Sequence, residues 1–254
     1  MPDAPAILIT CEHGGNAVPP RYRALFAKRR AELDSHAGYD PGALALAWTL
    51  SRACGAPLIA SDITRLLVDL NRSPGHRGLF SATTRSLPPD ERRRILADHY
   101  LPHREAVARA VAVNRSEGKT TLHVAAHTFT PVLRGSVRAV EAGLLYDPAR
   151  AAEAALCARW QIALRALAPD IAVRRNAPYR GASDGLATWL RRAHPESAYL
   201  GVEVELNQKF LERAPAWEQL CARLAQSLQS TIEAHWDSLS GHGRSGRDLP
   251  TGRE

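Results

Sequence analysis

The stretch ILITCEHGGNAVP, residues 7–19, decides how the rest of the chain is understood. Ile7 to Thr10 make an apolar, β-branched run of the kind that fills a buried strand. A thiol, a carboxylate and an imidazole stand side by side at its end, as Cys11, Glu12 and His13. Gly14 and Gly15 follow, where backbone can turn or approach another group closely. In open α/β sheets the chemistry gathers beyond the carboxyl ends of the strands, so a core strand ending this way makes the other strand ends worth reading with it.

Short apolar strands alternate with longer helical patterns along the chain. Strands are expected at Ala6–Thr10, Leu58–Ser61, Leu66–Leu70, Leu122–Ala126, Gly143–Tyr146, Ile171–Val173 and Tyr199–Leu206. Three-and-four spacing of apolar residues predicts helices at Ala43–Ala53, Asp90–Ser116, Pro148–Leu167, Ser183–Ala193 and Ala216–Leu239. The alternation predicts an α/β fold, with a mixed, mostly parallel sheet between helical layers. No repeat or linker divides residues 1–239, which are expected to form one domain. Residues 240–254, rich in Gly, Ser and Arg, read as a disordered tail.

A chain of 254 residues with 45% hydrophobic content can bury a full core. Net charge is +7 and the pI about 9.6. The basic clusters Lys28-Arg29-Arg30 and Arg92-Arg93-Arg94 lie in helical patterns mixed with acids, without interleaved aromatics. They read as solvated helix faces, so no nucleic-acid partner is expected. An acidic small-molecule substrate is the more economical use of the positive charge. No window of about 18 apolar residues calls for a membrane span, and the first residues lack a secretory pattern. Cys11, Cys54, Cys157 and Cys221 are scattered, which fits a reducing cytoplasm better than a disulfide framework.

The strand ends repay reading together. His127 opens HTFTP after Leu122–Ala126, Asn71 and Arg72 follow Leu66–Leu70, and Glu203 and Glu205 sit within GVEVELNQ. Each has a plain structural alternative: a hydrogen-bonded histidine, a turn with a surface cation, or two glutamates facing solvent. The last is weakened because the strand is otherwise apolar, and burying a carboxylate without a partner is costly.

CEHGGNAVP, GYDPGALALA, TRLLVDLNRS, HTFTPVLRG, GLLYDP, NAPYRGASDG and GVEVELNQ, taken in this order, resemble the N-formylglutamate amidohydrolases. That family is similar in turn to zinc carboxypeptidases and aspartoacylases. The resemblance runs from about Ile7 to Gln208 and implies a zinc-dependent hydrolase with a three-layer α/β/α, carboxypeptidase-like fold. It matches His13 and His127 to two zinc ligands. The superfamily's carboxylate three residues after the first histidine is missing, because Asn16 stands there. Asp40 is the preferred third ligand, with Glu12 and Asn16 as alternatives or supporting partners. An Asp before Pro41 also serves as a helix cap.

The same resemblance gives Glu205 the proton-transfer role and Arg65 the stabilisation of the oxyanion. It gives Asn71 and Arg72 the grip on a substrate carboxylate. Asp69 beside them reads either as an anchor for one of the arginines or as an ordinary strand-end carboxylate. Tyr179 and Arg180 suit a second carboxylate, such as a glutamate side chain, or simply rim a turn. Glu203 is left as a supporting residue. The implied substrate is a small anionic N-acyl amino acid, cleaved by zinc-activated water. Other options are a carboxypeptidase-like hydrolase of another acyl-amino acid or peptide, and an amidase that uses Cys11 as nucleophile.

Overall fold

The computed structural model describes residues 4–239, so the tail expected at 240–254 lies outside the described residues. The strands are β1 (Ala6–Cys11), β2 (Leu58–Ala60), β3 (Thr121–Phe129), β4 (Val132–Leu133), β5 (Ser136–Val137), β6 (Ala142–Leu145), β7 (Val173–Arg175) and β8 (Tyr199–Asn207). The α-helices are α1 (Arg30–Leu33), α2 (Ala43–Cys54), α3 (Ala82–Arg85), α4 (Pro89–Ile95), α5 (Leu101–Ser116), α6 (Ala151–Leu167), α7 (Leu186–Ala193) and α8 (Ala214–Leu239).

Six strands form one sheet in the order β2-β1-β3-β8-β6-β7. β2, β1, β3 and β8 run parallel, while β6 and β7 run together and antiparallel to β8. β3 is buried at every position because neighbours and helices cover both its edges and faces. Alternation divides the central strands into two faces. Ile9, Val124 and Val202 face the layer of α2, α6 and α8, against Leu46, Trp160 and Leu224. Leu8 and Tyr199 face α5 and α7, against Val107 and Leu190. The expected three layers are present.

On that second face the sheet is polar toward the carboxyl ends. His123 Nε2 lies 2.8 Å from Thr10 Oγ1, and its Nδ1 lies 2.6 Å from the Tyr199 hydroxyl, all buried. Buried Glu153 of α6 accepts from Arg191 of α7 at 3.0 Å and from the Gly201 N–H at 2.9 Å. This tie holds both α7 and α6 against β8.

Two expected elements differ. Leu66–Leu70 is a succession of turns, although Leu67, Val68 and Leu70 are buried. They pack with Tyr22, Phe26, Leu79 and Tyr100 in a separate cluster. An apolar run reports burial, and here the burial comes from loops rather than from a sheet. The helix expected over Asp90–Ser116 instead contains a π-turn at Leu96–Tyr100, just ahead of Pro102. Proline has no N–H for the α ladder, and the wider turn accommodates the interruption.

Candidate metal centre and active site

β1 delivers Glu12 and His13 just past its last residue, and β3 delivers His127 in register with Glu205 of β8. Asp40 is brought to them by the backbone. Its N–H donates to His13 O at 2.9 Å, while the Arg65 N–H donates to Gly38 O at 2.9 Å. A Cβ on Gly14 would come within 2.9 Å of Ser61 O, and one on Gly15 within 2.6 Å of Asp62 O. The glycine pair therefore lets the chain pass the Ser61–Asp62 backbone on its way out of β1.

His13, Asp40 and His127 are buried and offer ligand atoms that all lie within 4.8 Å of one another. Asp40 Oδ2 is 3.3 Å from His13 Nδ1 and 3.0 Å from His127 Nδ1. The opposite ring nitrogens also face carboxylates: His13 Nε2 is 2.8 Å from Asp69 Oδ1, and His127 Nε2 is 3.1 Å from Glu12 Oε2. Carboxylates behind metal-bound imidazoles fix the tautomer and raise ligand basicity. Arg65 joins the two aspartates, donating to Asp40 Oδ1 and to Asp69 Oδ2 at 3.0 Å each.

Asp40 and Asp69 share the Arg65 guanidinium, and Glu12 is a third buried carboxylate, facing His127 and His103. With both imidazoles neutral, as metal ligation requires, a cation among these groups would offset the crowded negative charge. Two imidazoles and a carboxylate within 4.8 Å are a donor set that fits one.

Electrostatics follow from this crowding. Burial alone would raise Asp40, but His13, His127 and Arg65 hold it well below the usual carboxylate range. Burial is likewise overcome at Asp69 by Arg65 and His13, and at Glu12 by His103 and His127. His127 is held well above its ordinary value by Asp40 and Glu12, against the effect of burial. Glu205 behaves in the opposite way: burial pushes its carboxyl up to about 8, and its Oε2 has no hydrogen-bond partner.

The cluster opens into a cavity of about 230 Å³ lined by His36, Arg65, Asn71, Arg72, Tyr179, Arg180, Glu203 and Glu205. The sheet thus supplies the two histidines of the cluster and Glu205, while loops supply the cationic wall. Two imidazoles, a carboxylate and an unpaired carboxyl beside an arginine-lined cavity are the parts of a hydrolytic centre.

The family model for N-formylglutamate amidohydrolase matches residues 5–211. The chain belongs to the N-formylglutamate amidohydrolase family. It is accordingly a hydrolase that acts on amide bonds. A gene product of Agrobacterium tumefaciens is similar over 93% of this chain and 92% of its own, with 28% identity and a TM-score of 0.75. An N-formylglutamate amidohydrolase from Ralstonia eutropha JMP134 shares the fold over 94% of this chain and 97% of its own, at a TM-score of 0.69 and 17% identity. No curated protein matches the chain.

The geometry of this family member bears on several alternatives. Asp40 is no helix cap: α2 begins after Gly42, whose φ of 85° suits glycine, and no side chain caps it. Asn16 is not in the cluster, since its amide donates to Leu33 O and Asp34 Oδ1. Glu12 stands behind His127, with His103 Nε2 3.5 Å from its other oxygen. Cys11 is fully buried among core residues of the α2, α6 and α8 layer, and burial pushes its thiol up to about 12. A thiol held protonated on the far face of the sheet is no nucleophile.

Asn71 lines the cavity, yet its amide is committed. Its Oδ1 accepts from the Leu186 N–H at the start of α7 at 2.7 Å, and its Nδ2 donates to Glu203 at 3.4 Å. Arg72 donates to Asp184 O at 2.7 Å, and its own carbonyl accepts from the Tyr100 hydroxyl. Tyr179 is held by Arg138, which donates to its hydroxyl at 3.0 Å. Sequence reading passed over Arg138, His36, His103 and Gln208. His36 is the one with a legible signal, four residues before Asp40 in HAGYD.

Proposed function

We propose that the chain is a zinc-dependent amidohydrolase that removes the formyl, or another small acyl, group from the nitrogen of an acidic amino acid such as N-formylglutamate. The observation that carries this reading is the convergence of His13, Asp40 and His127 within 4.8 Å beside Glu205. Two imidazoles and a carboxylate form a ligand set of catalytic zinc, which leaves a further position for water. Bound zinc supplies a water of pKa near ~7 and polarises the substrate carbonyl.

The protein's own groups do the rest. Glu205 accepts a proton from the attacking water and delivers it to the leaving amine. Its raised affinity for a proton suits delivery, and a cation at the neighbouring cluster would favour the ionised form needed for acceptance. Arg65 lines the cavity and is fixed by Asp40 and Asp69, and its role is to stabilise the carbonyl oxygen as it turns negative. Arg72 binds one substrate carboxylate, and Tyr179 with Arg180 receives the second. A planar guanidinium pairs with a carboxylate through two parallel hydrogen bonds. Asn71 supports that wall by fixing Glu203 and α7.

The cavity volume supports a small substrate over a peptide. The four cysteines are free. No helix among the described residues is long and apolar enough to cross a membrane. The test is release of free amine from N-formyl, N-acetyl and peptide substrates by zinc-reconstituted protein. Turnover of N-acyl glutamate or aspartate that is abolished by chelation supports the reading. Hydrolysis of peptides in preference to acyl amino acids refutes it.

A further inference from the structure

His36 and Gln208 lie beside the site and have no part in the chemistry above. His36 lines the cavity with its side chain a quarter exposed. Gln208, directly after β8, belongs to the same GVEVELNQ stretch as Glu205. A short hydrogen-bond chain joins them to the loop that carries Asp40. Thr128 Oγ1 donates to Pro41 O at 2.8 Å. A hydroxyl has one proton, so Thr128 accepts at its other contact, 2.9 Å from Gln208 Nε2. That orients the Gln208 amide, and its second N–H points to His36 Nδ1 at 3.1 Å.

A ring nitrogen that accepts carries no proton, so the single proton of His36 sits on Nε2. The reverse tautomer would require Gln208 to present its carbonyl oxygen to both neighbours. Thr128 would then face that oxygen with no proton to give, its own already donated to Pro41. Asp40 Oδ1 also lies 3.3 Å from His36 Nδ1, but a proton on that nitrogen would face the Gln208 amide N–H at 3.1 Å, donor against donor. The remaining donor of the ring, Nε2–H, belongs to a residue that walls the cavity.

We infer that His36 touches the substrate as a hydrogen-bond donor through Nε2–H, directed at an acceptor oxygen of the acyl amino acid, and that Gln208 is the positioning residue that fixes its tautomer. The inference rests on the function proposed above for its substrate, and on the hydrogen-bond chain alone for its tautomer. The acceptor is either the carbonyl oxygen under attack or a substrate carboxylate. A donor to the first acts on kcat, and a donor to the second acts on KM.

The tautomer is read by two-bond proton–nitrogen NMR correlations on ¹⁵N-labelled, chelated protein at neutral pH. His36 should show the Nε2–H pattern, and Gln208→Leu should redistribute it. An Nδ1–H pattern or an imidazolium in the wild type overturns the inference. Adding N-formylglutamate to chelated protein should shift the His36 Nε2 resonance, and an unmoved resonance at saturation also overturns it.

In zinc-loaded protein His36→Ala should lower kcat/KM by about 10- to 100-fold. His36→Gln, which keeps an N–H donor, should recover part of the loss. Gln208→Leu should fall between the two and in the same parameter, with zinc content unchanged. Wild-type kinetics in His36→Ala refute the contact. If the wild type turns over no N-acyl amino acid, the proposed function fails, and the NMR result still decides the tautomer.

Discussion

Glu205→Gln should lower activity and raise stability, because one feature causes both. Glu205 is buried, its Oε2 is unpartnered, and its carboxyl is pushed from an ordinary 4.5 up to about 8. In the unfolded chain the group is ionised above its ordinary value, whereas the folded protein keeps it protonated until about 8. Between those values the folded state binds more protons, so stability is full below 4.5 and is lost as pH rises through about 8. At 1.36 kcal/mol per pH unit the gap corresponds to on the order of 5 kcal/mol as an upper bound. Glutamine has the same shape and no charge, so it should remove this part of the loss.

The assay is urea unfolding of chelated wild type and Glu205→Gln at about pH 5 and pH 8.5. Wild type should lose more stability than the variant across that interval, and the two should be similar at the acid end. In zinc-loaded protein the same substitution should lower kcat by about 10² or more, with zinc content and KM near normal. Equal pH slopes would show that the carboxyl is solvated. Normal kcat would move the proton transfer to Glu203 or discard the mechanism.

The native protein should carry one zinc per chain, lost in His13→Ala, Asp40→Ala and His127→Ala and kept in Asn16→Ala. Metal analysis decides it, and full retention in any of the first three removes that ligand. Asp69→Asn should weaken zinc affinity by about 10- to 100-fold through loss of the charge behind His13, as read by chelator competition. An unchanged affinity would leave Asp69 as an anchor for Arg65 alone. Arg72→Ala should raise KM for acidic substrates by about 10-fold or more, and it should barely affect a neutral amide analogue. Equal effects on both substrates would contradict carboxylate recognition. Cys11→Ala should keep kcat within roughly two-fold, losing about 1 kcal/mol of stability to the small cavity. Chelator-resistant activity that vanishes in this variant would restore the thiol as nucleophile.

Sequence alone determined the layered α/β class and the main strand ends. Apolar runs and three-and-four spacing are local records of burial, and β1, β3 and β8 formed where those records placed them. It also singled out His13, His127 and Glu205, because each stands at the end or along the polar face of such a strand. The tertiary structure decided what a local pattern does not encode, which is distance across the fold. Asp40 is 27 positions from His13 and reaches it because the intervening loop returns to bond with the His13 carbonyl. Leu66–Leu70 has the composition of a strand, but it joins no sheet, and its apolar residues are buried instead in a separate cluster with Tyr22, Phe26, Leu79 and Tyr100. Asn71 has an amide suited to a substrate, and only packing against α7 shows that amide to be taken. His36 and Gln208, 172 positions apart, become a hydrogen-bonded pair only when β8 and the loop before α2 meet at Thr128. Burial patterns repeat along a few residues and survive in the sequence, whereas a site is made by contacts between segments that the fold alone brings together.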